Sequence, residues 1–166
     1  MLKSPPRARR RQSGVMLLEA LIGILIFSLG ILGMIGLQAA TISAAADAQY
    51  RSEAATLADQ LVAQIWLNVD RTSTANLQTS LNAFQYNTSG TDCSYSGGAA
   101  DASNTTLSSW VAAVTSSSAT GLPGASTAMQ QVLVNTASNN LVTVTVCWRA
   151  PNDAQPRRHV VTANIS

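Results

Sequence analysis

Four residues of the 166-residue chain stand out by type and setting as candidates for chemistry: Cys93, Cys147, His159 and, at the start of a long uncharged run, Glu19. Two thiols and one imidazole are enough in number for a three-ligand metal site. No Cys-x-x-Cys or His-x-x-x-His spacing supports one, so no metal is expected, and His159, beside Arg157 and Arg158, reads as a solvated or packed strand residue. Cys93 and Cys147 lie 54 positions apart. A bridge between them would close a long loop, worth about 4 kcal/mol in the chain-entropy model; the other reading is two buried free thiols. The chain has no Gly-x-Ser-x-Gly, phosphate-binding glycine loop or close acid pair, so neither an enzyme nor a cofactor is expected. Asn87-Thr88-Ser89, Asn104-Thr105-Thr106 and Asn164-Ile165-Ser166 match the glycosylation pattern, but such matches arise by chance in Ser/Thr/Asn-rich sequence and are given no role.

Glu19 draws attention because of its surroundings. From Ala20 to Leu37 run 18 residues in which Ser28 is the only polar side chain. As a helix this run is about 27 Å long, close to the roughly 30 Å of a bilayer's hydrocarbon core. Five of the ten Lys and Arg (Lys3, Arg7, Arg9, Arg10, Arg11) precede it, and the first cation after it is Arg51. That asymmetry keeps the N-terminus cytoplasmic and exports the rest of the chain, placing both cysteines in an oxidising compartment in a bacterial cell. From Val15 onward five positive side chains face eight negative ones. The basic character belongs to the leader, and nucleic-acid binding by a basic folded face is excluded. A secretory signal has a shorter apolar stretch, although Thr41 to Ala46 could in principle be cut. A plain single-pass anchor fits the length. Neither explains an acid at the margin of a membrane segment, a position that costs free energy unless the acid has a partner.

Ser13-Gly14-Val15-Met16-Leu17-Leu18-Glu19, preceded by Arg9-Arg10-Arg11, resembles the processing site of type IV pilins. The resemblance is strong over residues 7 to about 68 and elsewhere concerns architecture only. It implies cleavage between Gly14 and Val15 by prepilin peptidase, N-methylation at Val15, and a mature chain whose fifth residue is Glu19. Cutting ahead of the apolar segment leaves it attached and frees an α-amine with which a neighbour's Glu19 can pair, offsetting the burial of both charges. Val15 stands where most of the family has Phe, a departure found most readily in minor pilins. The resemblance further implies an inner-membrane precursor, contact with the inner-membrane pilus assembly platform and with major and minor pilins, and a place on the cell surface after assembly. Minor pilins help initiate the filament and modify adhesion, motility or DNA uptake. A type II secretion pseudopilin shares the same leader and helix, and a monomeric periplasmic domain on an uncut anchor is the reading outside the family.

These features need a long support. Nine of the twenty residues from Ala39 to Ala58 are alanine, and no proline occurs between Val15 and Pro123. Tyr50, Ala54, Leu57, Leu61, Ile65 and Val69 recur at helical steps. One helix from Val15 to about Asn68 is therefore predicted, its first half (15–38) for membrane and assembly and its amphipathic half (39–70) packed on a globular part. Gly23, Gly30, Gly33 and Gly36 interrupt the first half. Either they allow close helix packing, or Gly30 to Gly36 forms a soft stretch that loses regular structure within a filament, as the family resemblance implies.

Residues 71–128 are rich in Ser and Thr and read as a connecting region with two short helical patterns, Leu77-Leu81-Phe84 and Leu107-Trp110-Val111-Val114, separated by the turn-rich Asn87 to Ser103. In residues 129–166, Asn140 to Arg149 alternates Val142, Val144, Val146 and Trp148 against Thr143, Thr145 and Cys147. Met129–Asn135 and Arg158–Ile165 flank it as further strands. The expected fold is α+β: a long N-terminal helix, half of it transmembrane, on a C-terminal antiparallel sheet, with residues 1–14 a basic leader.

Overall fold

The computed structural model describes residues 14–99, 101–117 and 121–166. The leader expectation for residues 1–13 lies outside them. The chain divides into two compact units, residues 1–45 and 46–166.

Helix α1 covers Val15–Asn68, 54 residues. In the first unit it runs unbroken through Gly23, Gly30, Gly33 and Gly36, where an added Cβ would meet nothing within 4 Å. The glycines are thus not required by packing within the chain. Every residue from Gly14 to Ala45 is exposed, and the first half-buried one is Ala46. The second compact unit begins at that residue, within the amphipathic half of the helix.

In the second unit α1 buries Ala54, Leu57, Ala58, Leu61 and Ile65, the predicted stripe with Ala58 added and Tyr50 only half-buried. Helix α2 (Thr74–Asn82) starts at Ser73, whose hydroxyl accepts from the Asn76 N–H at 3.1 Å. Its buried Leu77 and Leu81 lie one turn apart and join the core. Helix α3 (Thr105–Val114) is capped in the same way by Asn104, and its Trp110 indole N–H donates to the Leu57 carbonyl at 2.8 Å, tying the connecting region to α1.

The main sheet has the order β3 (Gln131–Asn135), β4 (Leu141–Trp148), β5 (Arg157–Asn164), all antiparallel. Strand β3 starts later than expected because Thr127–Met129 form a 3-10 turn. Val142, Val144, Val146 and Trp148 face the core with α1, as their alternation requires. Thr145 and Cys147 on the opposite face are also buried. The cover is a hairpin inside the stretch whose composition reads only as turns: β1 (Ser89–Thr91) and β2 (Ser94–Ser96), whose Cys93 and Tyr95 pack on Cys147 and Met129. Its two-residue turn, Asp92-Cys93, has φ of 52° and 63°, the left-handed pair that a tight hairpin needs. Gly90, at φ 103°, lies where a Cβ would strike the Ser94 carbonyl oxygen.

Leu61 is fully buried at the centre of this core. Leu61→Ala is expected to destabilise the globular unit by about 3 kcal/mol, the transfer term plus the cavity, read as a lowered urea midpoint at unchanged m.

Candidate assembly segment and its globular support

The segment with the least internal support is the first half of α1. Its hydropathy over an 18-residue window is 2.6, and none of that window is buried within the chain. Leu17, Leu18, Phe27, Leu29, Leu32 and Leu37 are each more than 60% exposed, far beyond the isolated surface leucines of a soluble domain. By length and composition this helix is able to cross a membrane.

The polar groups in it are handled unequally. The Ser28 hydroxyl donates to the Ile24 carbonyl at 2.7 Å, and that of Thr41 to the Gln38 carbonyl at 2.9 Å, so both are satisfied within the helix. Glu19 has no hydrogen bond or ion pair among the described residues. Gly14 and Val15, the expected cleavage pair, lie at the helix start with both residues exposed, and Glu19 follows one turn later. Val15, Glu19, Gly30, Gly33 and Gly36 therefore share helix α1, with Gly14 immediately before it, and all six belong to the first unit. Cys93, Cys147 and His159 belong to the other.

The two cysteines form a disulfide, Cα–Cα 5.8 Å, which settles the choice between a bridge and free thiols. It fastens the β1–β2 turn to β4. Buried amides hold the same corner. Gln130 donates to the Cys147 carbonyl at 2.9 Å and accepts from the Cys147 N–H at 3.1 Å, taking the place of a strand neighbour where β3 has not yet begun. Asn87, at φ 47°, donates to the carbonyls of Thr127 and Gln130 and accepts from the Gly98 N–H. Sequence reading missed both; an Asn in a turn-rich stretch was the available signal, and its partners lie up to 43 positions away. His159 pairs with Val146 across β4–β5 as a half-buried strand residue. Among the described residues no three His, Cys, Asp or Glu side chains come together as metal ligands.

Arg157 joins three parts of the globular unit. Its guanidinium lies 3.0 Å from Asp47 on α1 and makes two bonds, at 2.6 and 2.8 Å, to Asp153 in the β4–β5 loop. The hydrogen bonds from Arg157 hold the Asp153 carboxyl below its ordinary value of 3.8, outweighing desolvation. The two acids together raise the Arg157 guanidinium still further above the range in which it would lose its proton. Because the Asp153 value is depressed on folding, its contribution is present above the unfolded value and disappears as pH falls through the folded one. Thermal stability is expected to drop on acidification below about pH 4, and Asp153→Asn to flatten that drop, in a calorimetric series from pH 7 to pH 2.

No family model matches this chain, and neither a curated protein nor a solved structure is similar to it.

Proposed function

We propose that the chain is a minor type IV pilin of the PilV, or pilus modification, type. In this reading prepilin peptidase cuts the precursor between Gly14 and Val15, and Val15 is N-methylated. Residues 15–38 hold the protein in the inner membrane, its N-terminus cytoplasmic and its globular unit periplasmic. The assembly platform then moves it into a filament of major and minor pilins at the cell surface. The chain acts by assembly, and no catalytic step is assigned to it.

The observation that carries this reading is the pairing of an exposed apolar first half of α1 with one carboxylate, a turn inside its start, that has no partner among the described residues. An anchor needs only the apolar side chains. A carboxylate retained there is explained when a second chain brings a cation to it, and the amine freed by cleavage after Gly14 is such a cation. Anion placement near the N-terminal end of a helix is favoured by the macrodipole as well.

The test is the N-terminus of protein recovered from cell envelopes. Mass analysis is expected to find a chain that begins at N-methylated Val15. A chain retaining Arg9-Arg10-Arg11, or one cut after Thr41, would refute the proposal.

A further inference from the structure

On the outer face of the main sheet, beside the β1–β2 hairpin, lies a groove of about 340 Å³ that includes Tyr95, Gln131, Thr145, Arg158 and Val160 in its lining. A second hollow of about 280 Å³ adjoins it, and Asp92 and Arg158 line both. The polar side chains of the floor are unusual for this protein. Thr145 is 5% exposed and Gln131 7%, yet the Thr145 hydroxyl and the Gln131 side-chain carbonyl have no hydrogen-bond partner among the described residues. The hydroxyl of Tyr95, a residue 8% exposed, likewise has no partner among the described residues. No fully enclosed side-chain polar atom of the described residues lacks a partner, so these three groups meet the groove rather than the core. At the rim Asp92 and Arg158 make no ion pair with each other or with any other described residue.

We infer that this groove is a binding site for a neutral saccharide, one or two hexose units of an oligosaccharide. A donor–acceptor hydroxyl, an amide carbonyl, a phenol, a carboxylate and a guanidinium converge on one hollow, and a polyhydroxylated ring is a ligand able to donate to and accept from all of them. The rim charges cancel, so a ligand of net charge leaves one of them unmatched, whereas sugar hydroxyls satisfy both. Val160, 46% exposed, offers an apolar surface to the C–H face of the ring. The site is built by the disulfide, which fixes the hairpin as one wall, and it does not depend on the pilin reading.

The test uses the full chain in a sugar-free detergent, titrated with lactose, cellobiose and maltose and followed by amide NMR and calorimetry. At least one disaccharide is expected to bind saturably with Kd of about 1 mM and to shift amides of residues 90–95, 145 and 158–160. Thr145→Val, which keeps the shape and removes the hydroxyl, is expected to weaken binding about tenfold. Arg158→Gln, at an exposed position that leaves the core untouched, is expected to do the same and serves if the valine variant fails to fold. No shift with any of the three sugars at about 20 mM, shifts that neither variant alters, or tighter binding of glucuronate than of the neutral sugars would overturn the proposal.

Discussion

Glu19→Val is expected to be cut after Gly14 as efficiently as the natural chain and to enter filaments at least tenfold less. The substitution removes the only ionisable side chain of α1 before Asp47 and leaves the helix more apolar, so membrane insertion is not impaired. What it removes is the carboxylate that has no partner among the described residues. In a low-dielectric bundle of helices an unpaired amine on a neighbouring subunit costs several kcal/mol, and a difference of only about 1.4 kcal/mol already changes occupancy tenfold. Sheared filaments and membrane fractions compared by immunoblot give the readout. Glu19→Gln, which keeps the shape and loses the charge, is expected to behave like the valine variant, whereas Glu19→Asp should retain part of the function. Incorporation of Glu19→Val at the natural level would remove the carboxylate from the account of assembly.

The second large effect is expected in the globular unit. Replacing Cys93 and Cys147 together by alanine opens a loop of 54 residues and is expected to cost about 4 kcal/mol. For a unit of this size that lowers the melting temperature by about 15 °C. The loss should be local in origin. The hairpin has only three residues per strand, nearly all of them exposed, so without the bridge it is expected to exchange its amides before the β3–β4–β5 sheet does. Hydrogen exchange would show this directly, and equal protection of hairpin and sheet in the double variant would contradict it.

The range of each interaction decided whether the sequence revealed or concealed it. Helix α1 was legible from Val15 to Asn68 because apolar run, alanine content and stripe are properties of neighbouring residues. Strand β4 was legible because its two faces differ, Val against Thr. The β1–β2 hairpin was not. Ser-Gly-Thr and Ser-Tyr-Ser lack the apolar alternation of a strand, and they hold strand geometry through a disulfide and a packed Tyr95. The burial of Thr145 escaped for the same reason, since the residue that covers its face is distant in sequence. The apolar half of α1 is a one-dimensional feature, so its extent was legible in the sequence. The groove beside the hairpin draws on three strands of one sheet and on both strands and the turn of another, an arrangement that no local pattern encodes.

The Arg157 clamp sets a limit on how the globular unit is to be produced in isolation. Its α1 contact is Asp47, the residue next to Ala46, where that unit begins. A recombinant fragment that begins at or before residue 46 retains the full three-way linkage, whereas trimming to residue 48 frees the guanidinium from the helix and leaves it paired with Asp153 alone.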